Sequence, residues 1–355
     1  MTKLQVERMR KYLDATIAAR ASDLHIVANQ PPILRIDGHL QAIPNEPVLT
    51  ADVAAGLVSS TLRPDLARKL MNRKEIDYSF DYDHHRYRGN AFYERGNLAG
   101  AFRLIPSKIP TLTELGLPPI LERFTLLKQG FVIVTGPTGH GKSTTLASMI
   151  DAINQKRREN IITIEDPIEY VFKHAQSIVS QRELGVDTDS FGRALKSSLR
   201  EDPDVILVGE MRDLETIEAA LTLAETGHLV FTTLHTNDAA QAPERILSVF
   251  PAHHQSQIRA QLANTLSAVL SQRLLPRARG GRVAAMEILV ANNAVKSLIR
   301  ENKAHQLYSI LETSAAEGMI SLDKVLADLV SRGEVNLDEA LPWARDQRAL
   351  KQMIS

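Results

Sequence analysis

The stretch GPTGHGKST, from Gly136 to Thr144, places Gly136, Gly141, Lys142 and Ser143 in the spacing G-x-x-x-x-G-K-[ST]. It follows the apolar run FVIVTG and precedes the helical pattern TTLASMIDAIN, the context that such a loop requires. Glycines at these positions let successive backbone N–H groups curl around phosphate oxygens, and the helix that follows adds its positive end. Lys142 then reaches the terminal phosphates of ATP, and Ser143 offers a hydroxyl to Mg²⁺. The candidate nucleotide-binding residues are therefore Gly136, Thr138, Gly139, Gly141, Lys142, Ser143 and Thr144. His140 occupies a variable position of the pattern, where its side chain can point outward.

Hydrolysis needs further groups, one to orient water and one to serve the metal side. The strand-like DVILVGEMRD ends in Glu210, where a carboxylate acts on metal-bound water. TIEDPIEY sets Glu165, Asp166 and Glu169 around a proline that interrupts local helix or ladder formation. Three acids so close are costly unless a cation or water compensates them. TGHLVFTTLHT brackets a strand with His228 and His235, either able to donate to a phosphate oxygen or to position a carboxylate. Nearer the N-terminus, pairing Arg95 with Leu98 across a Gly96-Asn97 turn sets Arg103 opposite Asn90. Arg86, Arg88 and Arg103 then share one sheet face, with Arg95 on the other. Three guanidinium groups on one face suit phosphate oxygens.

The elements that must position these residues fall into two parts. Val6, Met9, Leu13 and Ile17 recur at helical spacing and predict an amphipathic helix over about residues 4–20. PILRIDGHLQAI carries Asp37-Gly38 between alternating runs, the signature of a tight hairpin. IDYSFDYDHHRYRGNAFYERGNLAGAFRLIP alternates across two further turns and predicts a three-strand meander. Together they make an α+β domain over residues 1–110, closed by a proline-punctuated linker at 111–120. From 121 to 355 the pattern changes to apolar runs separated by helical stretches, the mark of a parallel sheet covered on both faces. Its strands are read at Phe131–Gly136, Ile161–Asp166, Asp204–Glu210 and Leu229–Leu234. Ligands bind outside the carboxyl ends of such strands, so the polar endings should meet in one crevice. From about Asn292 the chain turns helical, and Leu322, Val325, Leu326, Leu329 and Val330 form one apolar face.

The chain has 355 residues, 44% of them apolar, and its 42 Lys+Arg balance 42 Asp+Glu. That balance gives no overall pull toward nucleic acid and disfavours a DNA translocase. Cysteine is absent, which excludes disulfides and thiolate zinc sites and fits a cytoplasmic protein. No apolar window is long enough to span a bilayer, so membrane association is expected to be peripheral.

Taken in order, ASDLHI, GPTGHGKSTTLASMIDAIN, TIEDPIEY, SLREDPDVILVGEMRDLETIEAALTLAETGHLVFTTLHT and GMISLDKVLADLV resemble the boxes of the secretion and type IV pilus ATPases, and within them the retraction-type motors. The resemblance covers almost the whole chain. It implies an α/β protein with a PAS-like α+β N-terminal domain, followed by a RecA-like P-loop ATPase domain with a helical C-terminal part. It further implies a homohexamer that hydrolyses ATP with Mg²⁺ and acts, peripherally at the inner membrane at the pilus base, on a platform protein to retract the pilus. Glu169 and Glu210 would be catalytic, Glu165 and Asp166 would lie at the nucleotide, and Ser143 and Glu210 would serve the metal. His228 and His235 would sense or hold phosphate, with Arg86, Arg88 and Arg103 closing on the nucleotide. Two positions depart from the family. AVKSLIRE has Lys296 where the retraction family usually has Arg, which keeps the charge and loses bidentate bonding, and His140 stands where Ser is usual. Alternatives are an accessory retraction paralogue, an assembly or type II secretion ATPase, which usually carries a four-cysteine zinc site, and a nucleotide-gated scaffold without turnover.

Overall fold

The structure is a computed structural model and describes residues 3–36, 38–106 and 108–354. It divides into two compact units: Met1–Lys108 with Glu169–Val171, and Ile109–Ile168 with Phe172–Ser355.

In the first unit, α1 (Lys3–Ala18) is followed by β1 (Asp23–Ile26), β2 (Ile33–Ile36) and β3 (His39–Ala42). Next come α2 (Ala51–Ser59), α3 (Pro64–Arg73), β4 (Glu75–Tyr82), β5 (His85–Glu94) and β6 (Asn97–Leu104). The strands form one antiparallel sheet in the order β3-β2-β1-β6-β5-β4. One sheet face is apolar: Leu24, Ile26, Tyr87 and Phe102 pack with Met9, Leu13, Leu57 and Val58 of the helices. Met9 and Leu13 of the expected N-terminal stripe are buried, joined by Tyr12 and Thr16. The β2–β3 hairpin forms with Ile36 opposite His39, and Gly38 has φ 84°. Asp37, the other half of the expected turn, lies outside the described residues.

The meander forms as expected, but its second turn is different. Glu94 pairs with Asn97, so the turn is Arg95-Gly96, not Gly96-Asn97. Both turn residues have positive φ, 48° and 81°, as the hairpin turn matched to strand twist requires. The register therefore moves by two residues and Arg103 stands opposite Arg88 instead of Asn90. Because side chains alternate with period two, the shift leaves Arg86, Arg88 and Arg103 on one face. Arg95 belongs to the turn and not to the opposite face.

In the second unit, α4 (Ile120–Thr125) leads into β7 (Gly130–Thr135), α5 (Lys142–Lys156), β8 (Asn160–Glu165), β9 (Ile178–Glu183), α6 (Phe191–Ser198) and β10 (Val205–Val208). The chain continues through α7 (Leu214–Glu225), β11 (Leu229–Leu234), α8 (Ala242–Leu247), α9 (Ala252–Thr265), β12 (Leu266–Pro276) and β13 (Arg282–Val290). It ends with α10 (Asn293–Arg300), α11 (Leu307–Thr313), α12 (Leu322–Ser331), α13 (Leu337–Ala340) and α14 (Gln347–Ile354). The sheet runs β13-β12-β7-β11-β10-β8-β9 and is parallel except for the β12–β13 pair. Every residue of β7, β10 and β11 is buried, which is why these strands read as continuous apolar runs. On one side Ile162, Ile206 and Val230 share a core with Leu195, Leu221 and Leu262 of α6, α7 and α9. Leu322, Leu326 and Leu329 of α12 pack with Leu275 and Val283 of the last two strands, so this apolar helix face is covered by its own unit.

Candidate nucleotide site

β7 and α5 are joined by the glycine-rich loop. Gly136, Gly139 and Gly141 have φ of 141°, 80° and 81°, and two of them are also required by packing. A Cβ on Gly136 would sit 2.4 Å from the Gln272 carbonyl oxygen of β12, and one on Gly141 would sit 2.8 Å from the Gln272 amide nitrogen. Gly139 has open space around it. Lys142 is buried and donates from Nζ to the carbonyl oxygens of Gly136 at 2.8 Å and Pro137 at 2.9 Å, which draws its ammonium group back over the loop. Thr138 and Gly139 are exposed, while Ser143 and Thr144 are half-buried in the first turn of α5. His140 does not point outward: its Nδ1 accepts the Leu274 N–H at 3.0 Å, and its ring stands 5.2 Å from that of Trp343. Two backbone groups of β12 lie against the loop, the Gln272 carbonyl and the Leu274 N–H, and the imidazole takes the second.

The neighbouring strand ends converge as a parallel sheet dictates. Thr135 at the end of β7 donates to Thr236 O at 2.9 Å and accepts the Thr236 N–H at 2.9 Å, which ties the loop after β11 to the base of the phosphate loop. Thr233 donates to Gly209 O at 2.5 Å, and Gly209 N–H donates to Ile164 O at 2.8 Å, so β11, β10 and β8 are stitched at the same level. Glu210 stands on this edge with only 17% of its side chain exposed. One carboxylate oxygen lies 2.7 Å from Arg212 Nε and the other 3.6 Å from His235 Nε2. His235 thus faces the Glu210 carboxylate.

His228 is not part of this edge. β11 runs parallel to β7 with Leu229 opposite Gly130 and Leu234 opposite Thr135, so His228 and His235 sit at opposite ends of the strand. At ~3.3 Å per residue they are separated by about 23 Å. Its Nδ1 lies 2.9 Å from Leu223 O and 3.1 Å from Thr226 Oγ1, and these contacts anchor the end of α7. Among the described residues no group of three or more acids, histidines or cysteines is arranged to hold a metal. Glu165 is the last residue of β8 and turns to the same side as Thr163, two residues earlier. It accepts from Thr163 Oγ1 at 2.6 Å and from Gln181 Nε2 at 3.1 Å and is buried, whereas Asp166 and Glu169 are exposed. Glu169 falls in the first unit.

Also in the first unit, Arg35, Asp23, Arg103 and Arg88 stand in register across β2, β1, β6 and β5. Arg103 Nε is 2.9 Å from Asp23, and Arg86 is 3.3 Å from Asp81. Arg88 and Arg103 are exposed and directly opposed, an arrangement of like charges that favours an anion on that face.

Gln272 and Arg273 belong to none of the sequence motifs, although they lie beside the loop. The signal was present: two polar residues inside the otherwise apolar stretch LSAVLSQRLLP, buried here in mid-strand. A buried polar side chain in a strand needs partners, and these find theirs in the phosphate loop and the loop after β11.

A mostly parallel sheet with a glycine-rich loop between an interior strand and a helix, flanked by an acidic residue after a neighbouring strand, defines a P-loop nucleotide-binding protein. The chain belongs to the family described as type II/IV secretion system protein, whose model matches residues 113–341. It is 46% identical over 326 residues to the type IV pilus retractation ATPase PilT of Pseudomonas aeruginosa, covering 92% of this chain and 94% of that protein. It is 40% identical over 349 residues to the type IV pilus ATPase PilU of the same organism, covering 97% of this chain and 90% of the relative. Among solved structures, the pilus retraction motor PilT with bound ADP superposes with a TM-score of 0.90 at 47% identity, covering 97% of this chain and 98% of that one.

Proposed function

We propose that this chain is an ATP-hydrolysing motor that retracts type IV pili. The observation that carries the reading is the near full-length likeness to a pilus retraction motor crystallised with ADP. The first unit is its PAS-like domain and the second its RecA-like ATPase domain. The phosphate loop receives ATP: backbone N–H groups and the α5 N-terminus hold the phosphates. Lys142 exchanges its two loop carbonyls for the terminal phosphates. The oxygen donors at Ser143 and Glu210 suit Mg²⁺, which would neutralise charge on the phosphates there. Glu210, oriented by His235 and Arg212, takes a proton from the attacking water or orders it. Glu169, Arg86, Arg88 and Arg103 complete the site when the first unit of the same or a neighbouring copy closes, which is the reason for a homohexamer. The work is delivered to an inner-membrane platform protein at the pilus base. Among the described residues no helix is long and apolar enough to cross a membrane, so the motor reaches the membrane through that partner.

The likeness to PilU supports a second reading, an accessory retraction ATPase. Lys296 bears on this choice: it is half-buried on α10 and donates to Asn264 O at the end of α9 at 3.4 Å, a single contact where Arg would make two. The test is ATPase turnover at several protein concentrations with mass determination, followed by complementation of twitching in cells lacking their retraction ATPase. A retraction motor gains turnover on forming a six-subunit species and restores twitching alone. An accessory paralogue restores it only beside an intact motor, and turnover by a monomer at all concentrations would remove the ring.

A further inference from the structure

The phosphate loop is braced from behind by three consecutive residues of β12 and by the C-terminal helical part. The Gln272 side chain accepts from Thr145 Oγ1 at 2.6 Å and donates to His140 O at 2.8 Å, so one buried amide spans from the loop to the first turn of α5. Leu274 N–H donates to His140 Nδ1 at 3.0 Å. A ring nitrogen that accepts from a backbone N–H carries no proton, so the imidazole is neutral with its proton on Nε2. The Trp343 ring closes on the other side, edge-to-face with His140 at 69°. The same indole lies 5.3 Å from the guanidinium of Arg273, which is buried and donates to Gln272 O at 3.0 Å and to Asn237 O. Trp343 follows α13, far along the chain from the loop it supports.

We infer that His140 and Trp343 are positioning residues for nucleotide binding: the C-terminal part, through the indole, keeps the His140 imidazole on the Leu274 N–H and so sets the shape of the loop that receives the phosphates. The inference rests on the reading of that loop as the ATP site. It makes the affinity depend on a segment outside the sheet, so any event that lifts α13 and α14 from β12 loosens the nucleotide.

Protonation supplies the discriminating test. The charged groups acting on His140 are Arg273 from β12, Lys142 from α5 and Arg282 from β13; all are cations, and together with burial, the largest cause, they hold its pKa below the usual 6.5. A proton on Nδ1 would set two donors face to face. The contribution of this latch is therefore full above the ordinary histidine pKa and is lost as the pH falls through the depressed value.

The experiment is titration of the full-length protein with a fluorescent ATP analogue and Mg²⁺ between about pH 5 and about pH 8. His140→Ala should weaken binding at the alkaline end by roughly twofold to tenfold, the effect of one net hydrogen bond. His140→Asn, whose Oδ1 can accept in place of Nδ1, should recover most of that loss and should lack the fall in affinity that wild type shows on acidification. The nucleotide's own titration is common to all variants. Trp343→Ala should match His140→Ala, the double variant should be no weaker than either single one, and Trp343→Phe should recover. Wild-type affinity that is flat or rises toward low pH, or His140→Ala and His140→Asn that both match wild type throughout, overturns the latch. Lys142→Ala separates the two levels: if it binds like wild type, the loop is not the ATP site, whereas loss of binding there with unchanged His140 variants defeats the latch alone.

Discussion

Gly136→Ala and Gly139→Ala make the same change three residues apart in one loop, and the structure assigns them different costs. At Gly139 the added methyl meets nothing within 4 Å, so the penalty is the backbone conformation alone, φ 80°. A left-handed conformation in an L-residue costs roughly 1–2 kcal/mol, or about 5- to 30-fold in the population of the competent loop. At Gly136 the φ of 141° lies beyond the left-handed well and is at least as unsuited to alanine, and the methyl would lie 2.4 Å from the Gln272 carbonyl oxygen and 3.2 Å from Arg273 Nη1. The carbonyl belongs to β12, whose Gln272 pairs with Met286 of β13 and directly follows Ser271, the last β12 residue paired with β7, so the backbone there is held on both sides. Overpacking adds roughly 1–3 kcal/mol to the conformational term, so about 2–5 kcal/mol is expected in all. Fluorescent-nucleotide titration should therefore show a modest loss for Gly139→Ala and near-complete loss for Gly136→Ala, with circular dichroism confirming that both remain folded. Equal affinities for the two variants would mean that β12 does not form the floor of the loop.

Glu210→Gln should keep nucleotide binding and lower turnover by about 10²- to 10⁴-fold, the usual worth of a positioned general base; unchanged turnover in a steady-state phosphate-release assay places the base elsewhere. Arg88→Ala and Arg103→Ala should each slow turnover, by as much as about 10³-fold if they act as arginine fingers, while Arg95→Ala, in an exposed turn, should stay near wild type. Similar losses at all three would break the face argument. Glu287 on β13 is buried and accepts the Ala239 N–H at 2.8 Å, and burial pushes its carboxyl above the usual range despite that bond. Its contribution to stability is fully present below the ordinary carboxylate pKa and is lost as the pH rises through the elevated one. Thermal melts of Glu287→Gln, which keeps the acceptor, should gain over wild type at alkaline pH and match it in acid; a difference independent of pH would contradict the sign.

The parts whose signal is local are legible in the residues alone. Gly136, Gly141, Lys142 and Ser143 name their loop because phosphate binding needs backbone conformations that glycine alone reaches easily. The apolar runs named β7, β8, β10 and β11 because a strand buried on both faces has no polar positions to offer. Face sharing by Arg86, Arg88 and Arg103 survived a two-residue error in register because pleating repeats every two residues. The rest depends on strands meeting across long stretches of chain. The direction of β11 separates His228 from His235, and the company of Thr163 and Gln181 turns Glu165 inward instead of toward its acidic neighbours. Above all, Gln272, Leu274 and Trp343 come to the phosphate loop from residues more than half the domain away, and no spacing pattern encodes such a contact. It exists because β12 pairs with β7 and the C-terminal helices cover β12, and that packing turns the half-buried His140 ring onto the Leu274 N–H as its acceptor.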